Sequence, residues 1–540
     1  MLAGGSELDR VEAGPALATA KSGRLLLTMP RFLALSGLLA AMLAARPQVM
    51  DPDFWWHLRN GNTLLATGHL ISINPYAFMA QGHHWVMQEW LSEVWGAAVV
   101  ALGGRLGFVI AYELITLALL LLIWLRAREL GAAHGLTLGV GILVAALVAF
   151  PILGPRSQME SYALVALTLF IVERQVRRGG WVAWALPPVF LLWSNLHSGF
   201  ILGLIFLLAS LGAEAMLLAL GRLDRQRRRS LGQLALATLC SVAACLVNPN
   251  GAGIIAYPFE TQFDSAQQTL IQEWHSPDFH VNILVPLLLF ILSLAWLVVR
   301  YRSLGLRDAV ILALSLALSL QSVRNSVFLV AAGAPIWINL AERLRQELAG
   351  RRRRRVRRRT PAVIMLGQLV ELGALLAALL AQVGAGGSPP LQSAAYVSAF
   401  PVCAADWLRG APGQLRIFNQ YGDGGFLAYA LPRDKVYIFG DAALMGPPLL
   451  RRYGSIIDLA PGWLDKLDSS PSQLVVFERG TAFPDALQRA PEWRLVYRDQ
   501  RVEAFERRSL LGRLRLPANP AAASWRQRGL PACSGQARAV

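Results

Sequence analysis

The stretch from Val49 to Gly61, VMDPDFWWHLRNG, sets two acids, two tryptophans, a histidine and an arginine directly after an apolar run. Asp51-Pro52 reads as a helix start, because aspartate is a good N-cap and proline is favoured at the first helical position. Asp53 then sits in the first turn, near the positive end of the helix dipole. With the helix beginning at Pro52, Asp53, His57 and Asn60 share one face at i, i+4 and i+7, and Phe54, Trp55 and Leu58 share another. This pattern predicts a short amphipathic helix lying flat on a membrane interface, with Trp55 and Trp56 at headgroup depth. The chemistry it offers is that of a positioned carboxylate. Asp53 is a candidate general base or metal ligand, and Asp51 a cap that stands beside it among the binding candidates.

The elements that position this stretch follow from composition. The 540 residues are 55% hydrophobic and 16% charged, against about a quarter charged in a soluble chain. Apolar runs near 27–45, 105–125, 135–153, 159–173, 181–195, 199–219, 231–247, 282–299, 307–321, 326–342 and 361–383 predict an all-α polytopic membrane domain of about eleven transmembrane helices. The net charge of +17 could suggest nucleic acid, but most arginines stand in short connections between apolar runs. Those at 126–128, 173–180, 221–230, 300–308 and 343–359 alternate with arginine-poor connections. The positive-inside bias then puts the N-terminus in the cytoplasm and everything after residue 384 outside, and no nucleic-acid partner is expected. The run Arg351 to Arg359 reads as an anchor beside anionic lipid heads.

The outer connections are 49–104, the turn at 155–158, 194–199, 248–281 and 321–326. All of the unusual polar residues at the membrane edge fall on this side, and charges at such depth tend to mark function. Polar caps explain any one such loop; five loops facing one compartment suggest a shared site. The domain plan is a disordered N-terminus over 1–24, a transmembrane domain over 25–384 and a Gly/Ser/Pro/Ala linker over 385–400. A small extracytoplasmic α/β domain over 401–510 and a flexible tail over 511–540 complete it. Strands are expected at 414–419, 435–440 and 473–478, with a closing hairpin at 493–507 turning at Asp499-Gln500. The sequence GDGG at 422–425 reads as a tight strand-to-helix turn. Cys403 and Cys533 could pair if that region is extracytoplasmic.

Asp53-Phe54-Trp55-Trp56-His57-Leu58-Arg59 is similar to the Asp-x-Trp-aromatic-x-x-Arg run of oligosaccharyltransferase catalytic subunits. More closely, the chain resembles a bacterial GT-C-like polytopic membrane protein family that begins DPDxWWHLxxG. Further matches are INPYAFMAQGHHWVMQEWLSEVWG with Asn74 in place of an acid, NLHSGF (195–200), NPNG (248–251), IQEWHSPDF (271–279), SVRNSVF (322–328) and FNQYGDGGFLAYAL (418–431). The similarity spans about residues 50–507. It departs after the strand at 435–439, where the family's Asp-x-Arg reads Asp441-Ala442-Ala443.

The resemblance implies an inverting membrane glycosyltransferase with a polyprenyl-phosphate-linked sugar donor and a lipid, glycan or protein acceptor, on the outer face of a bacterial cytoplasmic membrane. Such a transfer needs a base for the acceptor's proton and positive charge for the departing phosphate. Asp53 is the first candidate base and Glu89 the next. Arg156, Arg324, His197 and Arg59 are candidates for the phosphate, and His57 for the bound substrate. Glu89 and Glu273 share a Gln-Glu-Trp pattern, and either could bind acceptor or metal, or only hold loops together. A bound Mg²⁺ or Mn²⁺ is open, with Asp53 and a further carboxylate as ligands. The rival readings are a transporter or flippase, for which Glu113, Glu160 and Glu214 are the candidate membrane charges, and an inactive GT-C scaffold.

Overall fold

In the computed structural model, residues 50–262, 272–351 and 393–518 are described, with isolated residues 369, 373, 391 and 533. The expected spans near 27–45 and 361–383, the segment 1–24, residues 352–359 of the arginine tract and most of the tail lie outside the described residues. The remaining apolar runs fold as helices. In chain order the described helices are α1 (Phe54–Thr67), α2 (Trp90–Glu129), α3 (Gly135–Ala149), α4 (Gln158–Arg178), α5 (Leu186–Leu196), α6 (Phe200–Ala219), α7 (Arg225–Ala244), α8 (Gly253–Gln262), α9 (Val285–Tyr301), α10 (Leu306–Gln321) and α11 (Ser326–Arg351), of which α1 and α8 fall in the expected connections rather than in apolar runs. Among the described helices, Trp90–Glu129, Phe200–Ala219, Asn282–Tyr301 and Val323–Gly350 are long and apolar enough to cross a membrane; Gly135–Ala149 and Val182–Leu196 are apolar but shorter.

α1 begins at Phe54 rather than Pro52, so its N-cap position falls on Asp53, whose side chain accepts no helix amide, and Asp51 instead closes the turn before the helix, its Oδ1 accepting the Asp53 amide at 2.9 Å. Gly68, at φ 70°, ends the helix in the left-handed conformation and returns its N–H to Leu64. α2 starts fifteen residues before the expected span, inside what the sequence presents as loop, and bends at Gly104 (φ 63°). The two helices cross in backbone contact, since a Cβ on Gly61 would lie 2.0 Å from the Glu93 carbonyl oxygen.

Near the far end of α2, a buried charge cluster ties the bundle together. Glu173 accepts from Arg307 at 2.7 Å and Arg177 at 2.5 Å and faces Arg126 at 3.5 Å, while Arg126 also reaches Asp308 at 3.2 Å. Glu214, one of the candidate membrane charges, is held by Arg227 at 2.8 and 2.9 Å. Removing one member of such a set strands its partners in a buried site. Glu173→Ala is therefore expected to cost about 3–5 kcal/mol and to lower the thermal midpoint of the purified protein visibly. An unchanged midpoint would show that the cluster relaxes into water.

The C-terminal domain opens with α12 (Ala394–Ala399) and α13 (Val402–Leu408), so the end of the expected linker is helical, with Tyr396 buried. Then follow β1 (Arg416–Asn419), α14 (Gly424–Ala430), β2 (Lys435–Val436), α15 (Ala442–Ile457), α16 (Trp463–Asp468), β3 (Leu474–Glu478), α17 (Ala482–Leu487), β4 (Trp493–Arg498) and β5 (Val502–Arg507). The strands form one sheet in the order β2-β1-β3-β5-β4, parallel across β2, β1 and β3 and antiparallel at the closing hairpin. Asp499 makes the hairpin turn by accepting the amides of Arg501 and Val502 at 2.8 and 2.7 Å. Cys403 and Cys533 form a disulfide.

This domain sits directly on α1. Trp55 (1% exposed) packs among Tyr396, Phe400, Phe426 and Tyr429, and Trp56 (6%) against Trp85 and Phe439. The expectation of tryptophans at headgroup depth is thus corrected. An apolar helix face looks the same in sequence whether lipid or a distant domain covers it.

Candidate functional site

A cavity of about 500 Å³ opens between the membrane helices, α1 and the C-terminal domain. Asp51, Asp53, His57, Glu89, Arg156, His197, Glu273 and Arg324 all line it. They arrive from five separate connections, the same ones that carry the unusual polar residues in the sequence.

Asp53 lies against Gly440 of the C-terminal domain, and its Oδ1 accepts from the Trp56 indole at 2.9 Å. Burial, reinforced by the Asp51 carboxylate, lifts its carboxyl to about 6, which makes it a stronger base than a free aspartate. One turn on, His57 stands between two acids, with Nδ1 at 2.9 Å from Glu93 and Nε2 at 3.5 Å from Glu89. Burial opposes its charge, but the Glu89 and Glu93 carboxylates outweigh that and hold it protonated to about 9. Asn60, the third residue of this face, donates to Glu93 at 2.8 Å and accepts from the Tyr76 hydroxyl at 2.6 Å.

Glu89 is the hub. It accepts from Ser157 at 2.5 Å and Gln88 at 2.8 Å and lies 3.5 Å from His197 as well as His57. Burial would raise its carboxyl, but the His197 and His57 imidazoles and Ser157 carry it below its ordinary value. His197 goes the other way: burial, only partly offset by Glu89, drops it to about 4. The Gly199 amide at 2.8 Å on its Nδ1 suits that neutral ring, with the hydrogen on Nε2 toward Glu89.

Of the arginines, Arg156 is already engaged, donating to Glu273 at 2.7 Å and standing 3.7 Å from Asp51. Burial opposes the charges in this pair, yet Arg156 holds the Glu273 carboxyl below its ordinary value. Arg324 differs: its guanidinium lies over the Trp274 ring at 4.8 Å, and among the described residues no carboxylate pairs with it. Arg59 is placed elsewhere, donating to the carbonyls of Ala428 and Pro432 and lying 4.4 Å over the Tyr76 ring. It pins the C-terminal domain and does not line the cavity.

Glu93, Ser157 and Gly440, which the sequence does not single out, also line the cavity, as does Asp441, which stands out in the sequence only for the arginine missing after it. Glu93 was within reach, since EWLSE sets it one turn after Glu89. Asp441 accepts from the Trp85 indole at 2.7 Å, and Gly440 abuts Asp53; neither contact leaves a local trace.

No group of three or more His, Cys, Asp or Glu side chains among the described residues is gathered as a metal site. Glu89 and Glu93 are turned onto imidazoles instead.

No family model and no curated protein matches the chain. Among solved structures, it aligns over 87% of its length with 72% of the archaeal oligosaccharyltransferase AglB from Archaeoglobus fulgidus in complex with an inhibitory peptide and a dolichol-phosphate, at TM-score 0.55 and 11% identity. The fold is similar to that of an oligosaccharyltransferase. A second structure from Archaeoglobus fulgidus, the apo oligosaccharyltransferase, gives TM-score 0.53 at 12% identity over 83% of this chain and 69% of that one. The GT-C likeness is one of fold, distant in sequence.

Proposed function

We propose that the chain is a GT-C-type glycosyltransferase that moves a sugar from a polyprenyl-phosphate-linked donor to an acceptor on the outer face of the cytoplasmic membrane, with inversion. The observation that carries this reading is one cavity holding a carboxylate of raised basicity, Asp53, together with an arginine, Arg324, that has no carboxylate partner among the described residues. Asp53 takes the proton of the acceptor's nucleophilic group as that group attacks the anomeric carbon from the side opposite the phosphate. The bond from the anomeric carbon to the phosphate oxygen breaks, and polyprenyl phosphate leaves with the electron pair. Arg324 meets its charge, with Arg156 alongside once its hold on Glu273 loosens. Glu89 and Glu93 hold His57, and the cationic imidazolium keeps the Asp53 carboxylate ionised when donor arrives. The Cys403–Cys533 disulfide supports an outer, oxidising location for the C-terminal domain.

The test is donor binding. Arg324→Ala should weaken undecaprenyl phosphate binding to the purified protein by about 1.5–3 kcal/mol, and Arg324→Lys by less, because only the first removes the charge. Unchanged lipid affinity in both variants would reduce Arg324 to an interfacial anchor.

The pH dependence follows from the two shifted groups. Asp53 acts as a base only when ionised, so transfer should fall as pH drops through about 6. His57 is raised above its ordinary 6.5, so its pairing contributes stability that is full below that value and is lost as pH rises through about 9. Transfer rates and melting curves across that range should show two separate transitions. A rate that stays flat below pH 6 would remove Asp53 from the proton transfer.

A further inference from the structure

Glu89 is held tightly by the protein and loosely by its two imidazoles. Its Oε1 accepts from the Gln88 amide at 2.8 Å and its Oε2 from the Ser157 hydroxyl at 2.5 Å. A carboxylate offers about four lone-pair sites, so each oxygen keeps one for a further donor. An imidazole faces each oxygen and stops short of it: His197 Nε2 stands 3.5 Å from Oε1, and His57 Nε2 stands 3.5 Å from Oε2. Charge-assisted N–H···O bonds close to about 2.7–2.9 Å, so neither contact is closed. Glu89, His57 and His197 all line the cavity.

Both Nε2 atoms carry hydrogen. Ser161 accepts the Trp193 indole at 2.8 Å and gives its own hydrogen to His197 Nδ1 at 2.9 Å, where the Gly199 amide also arrives at 2.8 Å. With two donors on Nδ1, the ring hydrogen is on Nε2. His57 is held as an imidazolium between Glu89 and Glu93, so its Nε2 is a donor as well. The cavity wall therefore presents a carboxylate flanked by two N–H donors. A metal ion needs lone pairs on those nitrogens and meets hydrogens instead. A phosphate meets the Glu89 charge between the donors. Two neighbouring hydroxyl groups suit the array, because each accepts from one imidazole and donates to the Glu89 oxygen beside it. Glu89 is within electrostatic reach of both Asp53 and Arg324, so a sugar held there is near the proposed base and the proposed phosphate ligand.

We propose that His57, Glu89 and His197 read a vicinal diol on the transferred sugar, so that the donor carries a hexose with adjacent free hydroxyls. This rests on the glycosyl-transfer reading. Binding to the full-length protein in nanodiscs tests it, with bare undecaprenyl phosphate and its glucosyl, mannosyl and galactosyl phosphodiesters as probes. Those three sugars between them offer trans and cis diols. At least one should bind about 10-fold or more tighter than the bare lipid, the scale of one charge-assisted hydrogen bond. Its 3-deoxy analogue, whose ring has no vicinal diol, should fall back to the bare lipid's affinity. Glu89→Gln should lose the same gain without weakening the bare lipid, since it removes a charge that repels phosphate. His197→Asn keeps an acceptor near the Nδ1 position but not the Nε2 donor, and should do likewise. The diol reading is overturned if the 3-deoxy analogue binds as tightly as its parent or if the gain survives either substitution. It is also overturned if either variant weakens the bare lipid as much as the glycosyl lipid, which marks a merely structural residue. Bare lipid bound with no gain for any sugar overturns the diol reading and leaves glycosyl transfer standing. No binding of any of these lipids overturns glycosyl transfer itself, and the diol reading with it.

Discussion

Replacing Asp53 with asparagine is expected to lower sugar transfer by about 10²-fold or more, the usual loss when a general base is removed. The amide keeps the shape of the side chain and an oxygen for the Trp56 indole at 2.9 Å, so expression and thermal stability should stay near wild type. Asp51 is the control. It accepts the Asp53 amide at 2.9 Å, and a serine there keeps an oxygen for the helix start. Asp51→Ser should therefore be nearly silent, while Asp51→Ala should cost about 1 kcal/mol of local stability. Donor consumption and melting temperature, measured together, separate the two acids. If Asp53→Asn turned over at the wild-type rate, the base would lie elsewhere. Glu89 would be tested next, although its two imidazoles make it the weaker base. A dead Asp51→Ser with an active Asp53→Asn would exchange the roles.

What the sequence made legible was local. Asp53, His57 and Asn60 do share a face, because helical spacing dictates it, and His57 and Asn60 both reach Glu93. The turns at 155–158, 194–199 and 321–326 also meet at the cavity, and the polar residues each of them carries were visible in the sequence. What was not legible depends on contacts between residues more than three hundred positions apart. Arg59 carries the charge of a phosphate ligand, yet it ends on two carbonyls of the C-terminal domain. Nothing in WWHLRNG distinguishes an arginine facing lipid phosphate from one facing a backbone. Trp55 and Trp56 fail as interfacial anchors for the same reason, since their aromatic partners come from residues 396–439 as well as Trp85. The helical start of α2 was hidden differently. Its polar residues Glu89, Ser92 and Glu93 face the cavity, so the apolar count drops where the helix begins.

Gly440 gives the second large effect, and it tests the docking of the C-terminal domain against Asp53 without changing any ionisable group. A Cβ on this residue would stand 1.6 Å from Asp53 Oδ1 and 2.6 Å from its Cγ, so alanine and the carboxylate cannot occupy their present places together. Gly440 has little freedom to yield. The next residue, Asp441, is held by the Trp85 indole at 2.7 Å and itself caps α15 by accepting the Leu444 amide at 3.0 Å. The carboxylate is the lighter partner, so it should swing off the Trp56 indole and out of line with the acceptor. A misplacement of about 1 Å at a reacting group can cost about 10²-fold, and Gly440→Ala should approach that loss while undecaprenyl phosphate binding, which the proposed mechanism assigns to Arg324, is retained. Gly413→Ala, an exposed position in the same domain with nothing within 4 Å of the added carbon, should be silent and controls for the change itself. Wild-type transfer by Gly440→Ala would mean that the C-terminal domain does not sit against Asp53 during turnover. The base would then work in an arrangement with the two domains apart.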